Sequence, residues 1–194
     1  MKNLILTTVT TILILTSCNQ NAGTKNEEIS ETKEFIVNVD ILTEVISETE
    51  IETKVKTNFP ENTSLTVTAS RDYKRKNSNE QYAAQLYYSF NSTVKNGQIV
   101  FSFNPIDNSW IDRYEELRRQ NFEFDKSLTE IDRLSIKDTI EISVLFTPKK
   151  DQPENVVKII GENGEYLYGS DVETNNGGFK IFRKEIKIYN KFNN

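Results

Sequence analysis

Glu50-Ile51-Glu52-Thr53-Lys54-Val55-Lys56-Thr57 alternates with a period of two, with Ile51, Thr53, Val55 and Thr57 on one side and Glu50, Glu52, Lys54 and Lys56 on the other. Successive side chains of an extended chain point to opposite faces, so the stretch reads as a strand with one face buried. Asn58-Phe59-Pro60-Glu61-Asn62 interrupts it with turn-forming residues, and Leu65, Val67 and Ala69 resume the alternation against Thr66, Thr68 and Ser70. The expectation is a hairpin-like pair. Tyr82, Ala84, Leu86, Tyr88 and Phe90 then alternate with Gln81, Ala83, Gln85, Tyr87 and Ser89. Asn96-Gly97, a favoured type I′ turn pair, leads into Ile99, Phe101 and Phe103. Residues 139–147 turn Ile140, Ile142, Val144 and Phe146 inward. Residues 179–189 make a last strand whose apolar phase slips between Ile181 and Ile186, a slip that a bulge would absorb.

Between these strands Trp110, Ile111, Tyr114 and Leu117 recur at helical spacing, with Ser109 and Asp112 placed to cap the start. Ser127-Leu128-Thr129-Glu130 is a capping-box pattern ahead of Ile131 and Leu134, which predicts a second helical turn. About six to eight strands with turn signals and one helical insertion around 109–134 give the expected class: mostly β, an antiparallel β-sandwich, immunoglobulin-like in layout. A small barrel is the competing architecture.

The chain has 194 residues, of which 36% are apolar, low for a compact globule, but eleven Phe and eight Tyr supply bulk for a core. Lys and Arg number 24 against 29 Asp and Glu, a net charge of -5 that gives no general attraction for nucleic acid. No nucleic-acid partner is expected. There is no histidine and one cysteine, which excludes His-based triads, His zinc sites, paired metal thiolates and an internal disulfide. No cofactor is implied, and no oligomeric state is specified.

The cysteine itself is informative. Met1-Lys2 is followed by an apolar stretch from Leu4 to Leu15, diluted by Thr7, Thr8, Thr10 and Thr11 and too short for a span of ~20 residues. It reads as an export signal ending in Leu15-Thr16-Ser17-Cys18, which resembles the bacterial lipobox. That resemblance implies a diacylglyceryl thioether on Cys18 and cleavage before it. Such an anchor buries several acyl chains at about 0.8 kcal/mol per CH₂ and is effectively permanent. The expected organisation is a lipoprotein signal peptide at 1–17, a flexible tether at 18–33 and a single β-sandwich domain at 34–194. The tether NQNAGTKNEEISETK after Cys18 has only Ile29 as a large apolar side chain and cannot collapse. The expected location is the cell envelope, lipid-anchored to a bacterial membrane after export.

Two stretches carry a second resemblance. Val55-Lys56-Thr57-Asn58-Phe59-Pro60-Glu61-Asn62-Thr63-Ser64-Leu65, followed by Asn96-Gly97, resembles the strand, T-N-L-P-D-G-T turn and strand of small secreted or lipid-anchored bacterial β-proteins of unassigned function. Gln152-Pro153-Glu154-Asn155-Val156, Gly161-Glu162-Asn163-Gly164-Glu165 and Leu167-Tyr168-Gly169 resemble the Q-P-x-x-V…G-x-x-G-x-x-L-x-G end of the same group. The shared residues are turn chemistry, so the resemblance implies a fold and supplies no reaction. Asn62 stands where that pattern has Gly, a replacement Asn makes at modest cost at positive φ.

Candidate contact residues fall in two segments. Arg71, Lys74, Arg75 and Lys76 surround Tyr73, a composition able to grip a phosphate or an anionic glycan; the plainer reading is a soluble hairpin tip. Trp110 and Arg113 sit among Asp107, Asp112, Glu115 and Glu116, the ingredients of a carboxylate-pair cleft with a sugar-stacking ring; the plainer reading is a charged helix face over a core stripe. Glu162, Glu165 and Asp171 lie among glycines but lack the D-x-D-x-D-G calcium register, so no metal site is expected. No G-x-S-x-G or S-x-x-K motif activates a nucleophile. The first functional expectation is therefore a noncatalytic, membrane-anchored lipoprotein whose sandwich binds an envelope protein or polymer, a glycan included. Two others stand beside it: a carbohydrate-directed module or glycosidase using Trp110, which needs that ring exposed in a groove, and a protease-inhibitor-like domain presenting the Asn58 to Asn62 loop.

Overall fold

Strict alternation turns into burial most directly in three strands. In β3 (Glu50–Thr57) the residues Ile51, Thr53 and Val55 are buried; in β6 (Gln98–Phe103) it is Ile99, Phe101 and Phe103; in β8 (Thr139–Phe146) it is Ile140, Ile142, Val144 and Phe146. The computed structural model describes residues 34–148 and 152–189, and the expected export signal, Cys18 and the expected tether lie outside the described residues. The other elements are β1 (Phe35–Ile36), β2 (Val39–Ser47), β4 (Ser64–Arg75), β5 (Gln81–Thr93), α1 (Ser109–Asn121), β7 (Ile131–Asp132), a 3₁₀ turn (Arg133–Ser135), α2 (Glu154–Ile160), β9 (Leu167–Tyr168), β10 (Val172–Thr174) and β11 (Lys180–Tyr189).

One sheet runs β2-β3-β6 and the other β10-β11-β8-β4-β5, with β7 paired to the end of β4; every pair within them is antiparallel. The chain changes sheet after β3, after β5 and again after β6. That crossing pattern is an immunoglobulin-like sandwich, and because both sheets keep open edges no barrel closes. Inner-face residues of both sheets share one core, in which Phe59 stacks on Phe146 at 5.1 Å between ring centroids and meets Phe182 edge-on at 5.7 Å. A short parallel pair, Phe35 with Leu167 and Ile36 with Tyr168, stitches the start of the described chain to the connection between β8 and β11.

Several expectations need correction. The stretches on either side of the Asn58 to Asn62 turn do not pair as a hairpin: β3 pairs with β2 and β6, whereas β4 pairs with β5 and β8. The turn is an arch between sheets, because Phe59 drops into the core while the Asn58 side chain accepts from Asn38 N at 2.8 Å and donates to Ile36 O at 2.7 Å. Asn96 and Gly97 have φ of 51° and 70°, as a type I′ turn requires, but β6 goes on to pair with β3 and not with β5.

In β5 the inward phase does not run Tyr82, Ala84, Leu86, Tyr88, Phe90. Ala69 faces Tyr87 and Ser70 faces Gln85, so Leu86 is an extra residue and the phase changes there. Tyr87 turns inward and stacks on Phe101 at 4.5 Å, and Tyr88 and Phe90 turn out to solvent. The bulge expected in the last strand is absent: β11 pairs with β8 in unbroken register from Phe182 to Tyr189. Its inner face reads Phe182, Lys184, Ile186, Ile188, with Ile181 buried on the other side. The capping-box pattern forms no helix; Ile131 enters β7 and the only helical turn is the 3₁₀ segment after it. α2, unforeseen, starts after Pro153 and buries Val156 and Ile160.

Candidate functional site

The stripe Leu65, Val67, Ala69 on β4 continues in phase to Arg71 and Tyr73, which therefore point inward rather than forming a tip. Arg71 is 2% exposed, and its Nη2 donates to Pro105 O at 2.6 Å. Its Nε has no hydrogen-bond partner. Burial pushes the guanidinium pKa down, and the nearby Asp138 carboxylate opposes part of that shift. Tyr73 packs on Trp110 with ring centroids 4.9 Å apart and also meets Tyr82 and Tyr114; its own pKa is raised by burial. With Ala84, Ile111 and Ile131 these rings make a second core beneath α1, at the end of the sandwich away from β1.

The remaining cations surround this core. Arg75 lays its guanidinium 3.6 Å from the centroid of Tyr82 and 5.7 Å from that of Tyr114, a cation–π stack, and Nη1 donates to Ser127 O at 3.3 Å. The Tyr114 hydroxyl donates to Thr129 O at 2.6 Å. Lys76 bridges Glu130 at 2.7 Å, and that hydrogen bond and charge hold the Glu130 carboxyl below its usual range. Lys74 is exposed on the outer face of β4. Arg113 donates to Ser109 Oγ at 2.8 Å on the exposed side of α1. The two segments thus do come together, but as a packed subcore with Arg75 and Lys76 engaged around it and Lys74 pointing away from it, and not as one open basic patch.

Three of the four acidic residues around Trp110 are similarly engaged, while Asp112 is exposed in the first turn of α1. Asp107 accepts from Ser109 N and Oγ at 2.8 and 2.9 Å; the N-cap of α1 is Asn108, without a side-chain cap bond, so the capping expected of Ser109 and Asp112 does not form. Glu115 pairs with Arg118 at 2.8 Å and Glu116 pairs with Arg119. Trp110, 6% exposed, has no free face on which a sugar could stack. The Asn58 to Asn62 loop does not project: Phe59 is in the core, and Glu61 accepts from Asn96 N at 3.0 Å while its carbonyl accepts from Asn155 Nδ2. Among the described residues no group of three or more Asp, Glu, Cys or His is placed to hold a metal ion.

One feature lies outside both candidate segments. The far half of β2 and the turn into β3 expose Leu42, Val45 and Ile46, beside Glu44, Glu48, Glu50 and Glu52. The signal in the sequence is the pair of doublets Ile41-Leu42 and Val45-Ile46, which break period two and place apolar side chains on both faces of one strand.

Fold and geometry define an antiparallel β-sandwich elaborated at both ends. Comparison with protein-family models, with curated protein sequences and with solved structures found no match.

Proposed function

We propose that the chain is an envelope lipoprotein, held to a bacterial membrane through lipid on Cys18, whose sandwich binds an envelope protein or polymer without catalysing a reaction. The observation that carries the noncatalytic half is the employment of the aromatic and acidic segment. Trp110 is packed against Tyr73, Asp107 holds Ser109 N and Oγ at the start of α1, and Glu115 and Glu116 are paired with arginines. Groups needed to hold a helix in place are poor candidates for a carboxylate pair facing a shared cleft. Loops and edges on a rigid sandwich are where binding function usually resides, which favours a binder over an enzyme. The lipid half rests on the Leu15-Thr16-Ser17-Cys18 pattern and on Cys18 being the only thiol.

Two experiments test the reading. Radioactive palmitate should label the full chain in a bacterial host, and Cys18→Ala should abolish the label and leave an unprocessed precursor; unchanged labelling removes the anchor. Purified protein is then assayed for both turnover and binding against peptidoglycan, envelope glycans and peptides. Turnover abolished by one Asp or Glu substitution in a still-folded chain overturns the noncatalytic reading.

A further inference from the structure

The edge strands differ in how their backbone is covered. Asn58 N donates to Asn38 O at 3.2 Å, in register with the β2-β3 ladder. Even-numbered residues of β2 up to Glu44 therefore bond to β3, and odd-numbered ones present their N–H and C=O to the open side. On that side the Lys184 ammonium, reaching from β11, caps the carbonyl of Val39. Beyond it, Ile41, Thr43 and Val45 offer unpaired edge groups among the described residues. Leu42, Val45 and Ile46 stand beside them at 48%, 56% and 52% exposure. A shallow groove on the outer face of the same sheet is lined by Leu42, Thr43, Glu44, Glu52, Lys54 and Lys56.

Charge selects the occupant. Around the tip of the β2-β3 pair, from Asp40 to Thr53, there are five acidic residues and no basic one; the two lysines of the groove, Lys54 and Lys56, stand across from Leu42 and Asp40, on the side toward β1. Glu44 lies directly across from Glu52, a like-charge pair that costs stability when unscreened. Among the described residues none of Glu44, Glu48, Glu50 and Glu52 is in an ion pair. We propose that this edge accepts an extended segment of a partner polypeptide, alternating apolar and basic side chains, as an added strand on β2. The backbone of Ile41, Thr43 and Val45 supplies the hydrogen bonds, and the incoming Lys or Arg residues lie beside Glu44 and relieve its repulsion with Glu52. The proposal rests on the binding reading above and names the surface and partner class for it. The edge lies at the end of β2 away from its junction with β1.

The test uses purified full-length protein and the peptide acetyl-Lys-Val-Lys-Val-Lys-Val-Lys-amide, with the Glu-for-Lys peptide as control. The Lys peptide should bind, weaken as salt rises, and slow hydrogen exchange at the amides of Ile41, Thr43 and Val45. Thr43→Pro removes a donor that faces the open edge and no bond to β3; it should weaken binding at least tenfold, as should Val45→Lys, which also serves if Thr43→Pro fails to fold. Equal affinity for the two peptides, or unchanged affinity in a folded edge variant, overturns the proposal. So does sedimentation showing a wild-type dimer that Val45→Lys dissociates, since the occupant would then be a second copy. If an envelope ligand identified by the binding assay is retained by the folded edge variants, this surface is refuted while the binding reading stands.

Discussion

Trp110 separates the structural account of the α1 end from a sugar-binding one, and the separation is measurable. The ring is 6% exposed and Tyr73, its closest aromatic neighbour at 4.9 Å between centroids, is 8% exposed. Truncating such a buried indole removes its transfer energy and leaves a cavity beside Tyr73, Ala84 and Ile131, so Trp110→Ala should cost about 3–5 kcal/mol. Phenylalanine at the same place behaves differently. The indole Nε1 is buried without a hydrogen-bond partner, a penalty of about 1–3 kcal/mol that Trp110→Phe removes. That gain offsets much of the lost ring area and should leave Trp110→Phe within about 1 kcal/mol of the parent. A double-mutant cycle with Tyr73→Ala should return a coupling of about 0.5–1.5 kcal/mol for the ring pair.

Urea unfolding followed by far-ultraviolet circular dichroism gives these differences. Because Trp110 is the sole tryptophan, fluorescence of the parent protein reports on it directly. A blue-shifted emission resistant to iodide is expected. Emission characteristic of water with ready quenching, or a Trp110→Ala variant that keeps its stability and loses binding to an envelope glycan, would refute the packing argument and restore the ring as a contact.

Three further outcomes follow from single interactions. Thr53 is fully buried and its hydroxyl has no partner, so Thr53→Val should raise stability by about 1 kcal/mol in the same urea titration. Gln152 imitates a strand by accepting from Ser64 N at 3.0 Å and donating to Ser64 O at 2.9 Å; Gln152→Ala should cost about 1–3 kcal/mol by breaking both bonds. Glu130 and Asp125 have lowered carboxyl pKa values, the first through Lys76 and the second through hydrogen bonds from Ser127. A lowered folded-state pKa gives stability that is present above the unfolded carboxylate range and lost as pH falls through the folded value. Thermal melts should therefore fall with acidification below about pH 4.5, with a shallower slope for Glu130→Gln and a weaker effect in high salt, since both Lys76 and Glu130 are exposed.

What could be read from the sequence follows from where one face alone is buried. β3, β6 and β8 alternate without interruption, and their inward residues are the expected ones. In β5, Leu86, Tyr87 and Tyr88 are all bulky, so two phases fit the local pattern, and the choice is made by the β4 register across the bulge. Hairpin and arch use the same turn residues, and the Asn58 to Asn62 segment becomes an arch because Phe59 finds Phe146 and Phe182 beneath it. By composition Arg71 belongs to a basic loop, whereas its odd-numbered phase with Leu65, Val67 and Ala69 puts it inside. That the Arg71 to Lys76 and Trp110 segments meet is a tertiary fact with no local signal.

The two sides of the sandwich show how selectively the chain protects its edges. β5 is 13 residues long without a charged side chain, a composition that invites edge pairing, but two register shifts interrupt its ladder with β4. β6 spans 6 residues, and its start is closed by the bridge of Lys95 with Gln98. Along β11 past the short β10, Arg183, Lys184 and Lys187 supply the positive charge that discourages pairing. β2 has its own device at one end only, the Lys184 cap on Val39. Its other half carries a register shift only at the very tip, between Val45 and Ser47, and its charges are all of one sign. The tip of the β2-β3 pair, where Glu44, Glu48, Glu50 and Glu52 gather, repels a second copy of itself while attracting a basic strand, so the charge pattern there protects against self-association and selects a partner by the same physics.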